Sequence, residues 1–425
     1  MRRKTSILLS LIIVLVMATP VFAAVNLDFN GKSYQPANEP YLEGGVTRVT
    51  PDFLINTLGC DVTVTGELIN IVENDNVVKM TLGSTAASVN GAPATMLRAP
   101  EVIEGKTYIP LRFVYESLGA AVEWDGQTGT VAIAYNEMRD GMTADELMGK
   151  SSAEVTKAGR YKMAADVQSD IDMTVRESAQ DDQTMKMKMD SKIEAWLQAE
   201  PLIMYMKQKA NIDMPSAPSP APQAIDTEMV LNQEGMFMTM PDIGWVKMDL
   251  EGLDIQALMK QSMAQDPAAA MQQIKDMGMC LSFANDQVKN DKQYWVLTGT
   301  MGGDIFKSDY FQQFSKQMPA MEQDVDMQKL LQDMDLDLVY TIWIDKETFY
   351  DDYMDMTGKM KLNMDIPASQ ESQGGSMTMA MDLTASYTMS DYGREFSVPE
   401  IKDARSMQEV ILEQKGVPAP GQGQP

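Results

Sequence analysis

Residues 161–176 read YKMAADVQSDIDMTVR, and this stretch decides the fold of the larger part of the chain. Odd positions such as Tyr161, Met163, Ile171 and Met173 are mostly apolar, whereas the even positions carry mainly Lys, Asp, Gln, Thr or Arg. Successive side chains of a β-strand point to opposite faces, so a period of two predicts a long strand. One face of this strand should be apolar and the other solvated.

Methionine occupies the apolar positions in many similar stretches. The chain has 39 methionines and no histidine; residues 185–189 read MKMKM and residues 377–381 read MTMAM. These stripes predict that methionine covers one face of a sheet. The candidate ligand-lining residues are Met163, Met173, Met185, Met187, Met189, Met204, Met206, Met236, Met238, Met360, Met364, Met377, Met379 and Met381.

Two interpretations of the methionine stripes are open. Thioethers are soft ligands suited to Cu(I), and flexible side chains about 6.6 Å apart at Cα could bring two sulfurs onto one ion. Stripes on almost every strand, however, describe a broad surface and not a three-ligand point. We therefore favour an apolar interior and assign no metal site and no cofactor.

Some eleven alternating stretches follow one another from residue 160 to residue 389, separated by hairpin signals such as Asn232–Gly235. So many antiparallel strands should curl into a half-barrel. Residues 143–157 predict an amphipathic helix, and residues 253–277 and 305–332 predict helices that cover the apolar side. The proline-rich residues 215–222 and residues 367–376 predict exposed hairpin loops.

The order of these elements is a helix, long antiparallel strands, a helical insertion and more strands. This order resembles the lipoprotein-carrier fold of the LolA and LppX type, and an uncharacterised domain of secreted Gram-positive proteins thought to share that fold. The resemblance spans residues 140–405. It implies a half-barrel with a hydrophobic cavity for acyl chains. Many relatives are lipoproteins, but no cysteine follows the apolar run at the N-terminus of this chain.

An internal duplication precedes this region. Residues 43–66 and 103–126 align without a gap at an offset of 60 residues, with matching glycines and core positions such as Phe53 and Phe113. Each copy predicts a short strand, a helix, a glycine that ends the helix, and a further strand. In the first copy, Pro51 fits the first helical position. The chain as a whole is therefore expected to be α+β, a duplicated small module followed by a large curved antiparallel sheet covered by helices.

The second copy carries the more specific motif, Tyr108-Ile109-Pro110-Leu111-Arg112-Phe113, followed by residues 116–120 (ESLGA) and 122–125 (VEWD). It resembles the repeated domain named after the N-terminal region of copper amine oxidases, over residues 26–135. The resemblance implies a non-catalytic module of secreted and surface proteins of Gram-positive bacteria. The family name implies neither copper nor oxidase activity. Arg112 and Trp124 are a candidate binding pair, for which a structural role is the favoured interpretation.

The ends of the chain predict export. Residues 1–23 read as a secretory signal peptide, with Arg2, Arg3 and Lys4 before an apolar run and small residues near Ala23, where cleavage is expected. The mature chain has no further stretch long enough for a transmembrane helix. Residues 414–425 predict a disordered tail. Cys60 and Cys280 fall in separate domains, so each is expected to be a buried small hydrophobe.

Composition excludes several functions. A formal net charge of −26 argues against nucleic acid or anionic lipid surfaces as partners. Without histidine, imidazole-based triads are impossible and the common zinc sites lose their usual ligand. No catalytic residue is assigned, and the chain is not expected to be an enzyme.

These observations predict an exported cell-envelope protein whose half-barrel binds a hydrophobic small molecule, lipid or acyl chain. Two alternatives are a structural or cell-wall attachment protein with a filled core, and a methionine-based Cu(I)-binding protein. The alternatives differ in whether the methionine-lined interior is hollow, filled or metal-binding.

Overall fold

The structure is a computed structural model that describes residues 25–34, 36, 38–177, 183–215, 223–248, 280–302, 305, 334–366 and 375–414. The described residues are mostly β with few helices, consistent with an α+β chain in which strands dominate. The chain divides into two compact units, residues 1–55 with 60–136, and residues 56–59 with 137–425.

The first unit contains thirteen short strands and two helices within its described residues. The strands are β1 (Asn26–Phe29), β2 (Lys32–Tyr34), β3 (Tyr41–Glu43), β4 (Val46–Val49), β5 (Asp61–Thr65), β6 (Leu68–Glu73), β7 (Asn76–Thr81), β8 (Ala86–Val89), β9 (Ala92–Thr95), β10 (Glu101–Ile103), β11 (Lys106–Pro110), β12 (Ala121–Asp125) and β13 (Thr130–Ala134). The helices are α1 (Pro51–Leu58) and α2 (Leu111–Ser117). Three sheets result, in the orders β12-β13-β1-β2, β10-β11-β4-β3 and β5-β6-β7-β8-β9.

The duplicated copies have the predicted order of strand, helix and strand, namely β4-α1-β5 and β11-α2-β12. Gly59 and Gly119 have φ of +61° and +94°, the left-handed conformation that ends each helix at little steric cost. The core is shared between the copies, because the Phe53 ring lies 5.7 Å from the Tyr115 ring, centroid to centroid. Cys60 is buried in this unit, and burial raises the pKa of its thiol to about 12.

The second unit is dominated by long strands. They are β14 (Arg160–Glu177), β15 (Gln183–Gln198), β16 (Ile203–Asp213), β17 (Gln223–Asn232), β18 (Gly235–Met240), β19 (Gly244–Met248), β20 (Cys280–Lys289), β21 (Lys292–Gly302), β22 (Asp335–Asp345), β23 (Asp351–Ile366), β24 (Gly375–Ser390) and β25 (Arg405–Ser406). Two helices accompany them, α3 (Ala144–Ala158) and α4 (Met407–Gln414).

All twelve strands form one curled sheet in the order β20-β21-β22-β23-β24-β14-β15-β16-β17-β18-β19-β25. Every neighbouring pair is antiparallel except β19 and β25. The eleven strands β14–β24 correspond to the eleven alternating stretches of the sequence. The last long strand, β24, returns to pair with residues 162–177 of the first, β14.

Helix α3 lies within one residue of the predicted bounds, residues 143–157, at each end. The Thr143 hydroxyl accepts a hydrogen bond from the Glu146 amide at 3.3 Å, and the Glu146 carboxylate accepts one from the Thr143 amide at 2.8 Å. This capping box satisfies amides that the first turn leaves unpaired, and Gly159 ends the helix with φ +69°.

Several predicted segments lie outside the described residues. They are the signal peptide, the helix over residues 253–277, nearly all of the helix over 305–332, most of the two predicted hairpin loops and the tail beyond Gln414. Helix α4, which the sequence analysis does not predict, ends at Gln414 itself.

Candidate ligand-binding face

The pairing of the strands brings the fourteen candidate methionines to one face of the sheet. Residues directly opposite each other in an antiparallel pair point to the same face. Met173 lies opposite Met185 on β15 and opposite Met379 on β24, and Met206 lies opposite Met229 on β17. We call this side the methionine face. It carries Met163, Met173, Met185, Met187, Met189, Met204, Met206, Met236, Met238, Met360, Met364, Met377, Met379 and Met381.

These side chains are neither fully exposed nor fully buried. Thirteen of the fourteen are half-buried, and Met185 is 48% exposed. Their neighbours on the same face are also largely apolar, for example Leu362 opposite Met379. The result is a continuous apolar surface that is only partly covered by the described residues.

The opposite side, the charged face, is solvated along residues 166–172 of β14 and 186–192 of β15. Its cross-strand pairs include Lys186 Nζ to Asp172 at 3.3 Å, Lys188 Nζ to Asp170 at 3.4 Å and Lys192 Nζ to Asp166 at 3.2 Å. Exposed ion pairs contribute little to stability, about 0–1 kcal/mol each. They do oppose a one-residue slip of the strands, since a slip would move these charges onto the methionine face.

One end of the methionine face is already packed. Helix α3 places Leu147, fully buried, in a cluster with the strand residues Phe283, Trp295 and Ile342. Ile342 lies opposite Met354, and the cluster is therefore continuous with the methionine face. The cluster comprises Ala144, Leu147, Leu281, Phe283, Trp295, Leu297, Tyr340, Ile342 and Ile344, with Met142, Met148, Met301, Leu338, Phe349, Met354 and Met356 against it.

Two sequence families match the chain. The sequence model of a family of unknown function, DUF6612, matches residues 143–406, more than half of the chain. The chain belongs to the DUF6612 family. The model of the copper amine oxidase N-terminal domain matches residues 28–133, which confirms the resemblance seen in the first unit. No curated protein matches.

Comparison with solved structures finds matches of low identity and low TM-score over about 60% of the chain. LprF from Mycobacterium bovis is 12% identical with a TM-score of 0.29, over 60% of this chain and 96% of that one. The lipoprotein LppX from Mycobacterium tuberculosis is 11% identical with a TM-score of 0.25, over 60% and 97%. A LolA superfamily protein from Nitrosomonas europaea is 9% identical with a TM-score of 0.15, over 61% and 96%. LolA- and LppX-type proteins are thus among the neighbours, as the sequence resemblance predicted.

An aromatic cluster with a carboxyl group lies where β14, β23 and β24 meet. The Tyr350 and Tyr392 rings stack at 3.9 Å, and the Tyr161 ring lies 6.2 Å from that of Tyr392. The Tyr392 hydroxyl donates to the Asp351 carbonyl oxygen at 3.2 Å. Burial raises the pKa of the Asp351 carboxyl from 3.8 to about 6.

The face contains more methionines than the sequence analysis selected. Met229, Met248, Met354, Met356 and Met389 lie on it as well, by the same pairing. Met354 and Met356 share the parity of Met360 and Met364 within one strand. The alternation by itself therefore could have identified them.

Two searches of the described residues concern other classes of site. No group of three or more His, Cys, Asp or Glu side chains in the described ranges is arranged to hold a metal ion. None of the helices in the described part of the chain is long and apolar enough to cross a membrane.

Proposed function

We propose that the DUF6612 region is a half-barrel, covered in part by helices, that binds a lipid or acyl chain on its methionine face. The chain would act outside the cell, in the envelope, without catalysing a reaction. The observation that carries this proposal is one apolar face continuous over β14–β19, β23 and β24, whose methionines are only half-buried.

The extent of the face suits a long apolar ligand. Eight neighbouring strands spaced by about 4.8 Å span roughly 30 Å along the sheet. Methionine side chains are unbranched and flexible, so they can adapt to chains of different length and unsaturation. A packed cluster under α3 closes one end of the face, and the methionines extend away from it.

The energy available is sufficient for measurable binding. Burial of one methylene group contributes about 0.8 kcal/mol, so an acyl chain of some fourteen methylenes gains on the order of 10 kcal/mol before the cost of immobilisation. Even if half of this gain is lost, the dissociation constant would be near or below the millimolar range, and pre-organised strands would improve it.

The test is displacement of a fluorescent fatty-acid probe from the purified full chain. Met173→Gln places a neutral amide of similar shape between Met185 and Met379, so we expect probe affinity to fall about tenfold. Thr174→Gln is the matched control, because Thr174 lies on the other face opposite Thr184 and Thr378. Equal affinities for the two variants would refute the site.

A second candidate, binding of Cu(I), is favoured by one observation. The pairing places Met185, Met173 and Met379 side by side on three consecutive strands, about 4.8 Å apart. Two sulfurs on one metal can lie at most about 4.6 Å apart, a distance that flexible thioethers can reach. Anaerobic Cu(I) titration of wild type and Met173→Leu tests this candidate. Binding weaker than micromolar in wild type, or binding unchanged in the variant, would exclude this three-methionine site.

A further inference from the structure

A cavity of about 400 Å³ lies within the first unit. It falls in the usual range of ligand pockets, about 300–1,000 Å³. Its walls are mainly apolar, and two charged side chains, Arg112 and Glu116, are among them. The lining residues are Leu42, Gly45, Val46, Thr47, Leu97, Pro110, Leu111, Arg112, Phe113, Glu116, Val122, Trp124 and Val131.

The two copies of the duplicated element contribute differently to this cavity. The first copy supplies strand residues 45–47, whereas the second supplies α2 and β12. At the 60-residue offset, Arg112, Glu116 and Trp124 correspond to Asp52, Asn56 and Val64, in that order. The glycines and the phenylalanine that shape the element are the same in both copies. The element thus folds without these three side chains, and the fold alone does not account for them.

The charges at the cavity neutralise each other. Arg112 Nη1 lies 3.1 Å from Glu116 Oε1, and both side chains are half exposed. Arg112 Nη1 also donates to the carbonyl oxygen of Val122, which ties the guanidinium to β12. A ligand therefore meets hydrogen-bond donors and a carboxylate acceptor together, with no net charge. An ionic ligand would have to break the pair.

The rim of the cavity is apolar and exposed. Trp124 keeps 43% of its surface accessible and Leu97 keeps 79%, although both are large and apolar. A half-exposed indole next to a donor and an acceptor can stack on a flat ring while the ring's polar substituent bonds to the charged pair.

We propose that this cavity is a second ligand site, which takes a small neutral amphipathic molecule. The molecule presents a flat apolar ring to Trp124 and Phe113 and an amide or hydroxyl group to Arg112 and Glu116. The Arg112–Glu116 pair determines the selectivity. It can bond to a neutral group that both donates and accepts hydrogen bonds, whereas a cationic or an anionic ligand would have to break the pair.

The test uses three probes of similar size: N-benzylacetamide, 3-phenylpropionate and 2-phenylethylammonium. Binding to the full chain is followed by the NMR shift of the Trp124 indole N–H, assigned with Trp124→Phe. We expect N-benzylacetamide to bind most tightly. Glu116→Gln leaves Arg112 without its carboxylate. The affinity for 3-phenylpropionate relative to N-benzylacetamide should therefore rise by about threefold to fivefold, which corresponds to the free energy of an exposed charge pair.

Glu123→Gln is the matched control. It makes the same charge change one residue from Trp124, on an exposed side chain that does not line the cavity. We expect it to leave the order of the three probes unchanged. The proposal is overturned if no probe moves the Trp124 signal, if an ionic probe binds wild type best, or if Glu116→Gln and Glu123→Gln alter selectivity equally.

Discussion

A carboxylate introduced at Met379 should destabilise the fold, whereas one introduced at its neighbour Ala380 should leave stability almost unchanged. Met379 is half-buried on the methionine face, between Met173 on β14 and Leu362 on β23. Burial of a whole apolar side chain stabilises a fold by about 1.5–3 kcal/mol, and Met379→Asp loses about half of this burial energy because Met379 is half-buried. Placing a polar group there adds about 1–3 kcal/mol. We therefore expect a loss of about 2–4 kcal/mol in the free energy of unfolding at pH 7.

Ala380→Asp is the control on the same strand. Ala380 is exposed on the charged face, opposite Asp172 and Lys361, so the change should stay within about 0.5 kcal/mol. Urea unfolding followed by tryptophan fluorescence measures both, with the midpoint and slope fitted separately. The apolar surroundings raise the pKa of the carboxyl introduced at 379, so its penalty should shrink as the pH falls toward 4. Equal losses for the two variants would refute the assignment of faces.

Two further predictions concern α3 and the aromatic cluster. Thr143→Ala removes the hydroxyl that accepts a hydrogen bond from the Glu146 amide, so the free energy of unfolding in urea should fall by about 1 kcal/mol. Thr143→Ser keeps a hydroxyl and should lose much less. Equal losses in the two variants would mean that the cap is unimportant. The pKa of Asp351 is about 6 in the folded protein and 3.8 in the unfolded chain. The unfolded chain therefore loses this proton at lower pH, and the free energy of unfolding falls as the pH rises from about 4 to 6. Asp351→Asn removes that dependence and should raise stability at pH 7 by about 3 kcal/mol, with no gain near pH 3; a gain that is the same at both pH values would contradict it.

The sequence could predict the strands because alternation is a local property. Met163, Ile171 and Met173 define the apolar face of β14 without any knowledge of its neighbours, and Thr143 and Gly159 define the ends of α3. Helix α4 has only eight residues and a weak apolar pattern, and it was therefore missed.

What the sequence could not predict is which strands become neighbours. Alternation places Met173 on the apolar face of one strand and Met379 on the apolar face of another. Only the pairing of β14 with β24 shows that the two residues lie on the same face of one sheet. The cavity of the first unit shows the same limit. Arg112 and Trp124 were candidates as a pair, whereas Glu116 and the first-copy strand that completes the lining emerge only from the fold.

Mass spectrometry of organic extracts from the purified full chain tests the central claim most directly. A methionine face that binds acyl chains predicts a co-purifying lipid near one equivalent per chain, reduced in Met379→Asp and retained in Ala380→Asp. Extracts without lipid, from protein that also fails to bind a fluorescent fatty-acid probe, would contradict the claim. They would favour the alternative in which the protein's own side chains fill the methionine-lined interior.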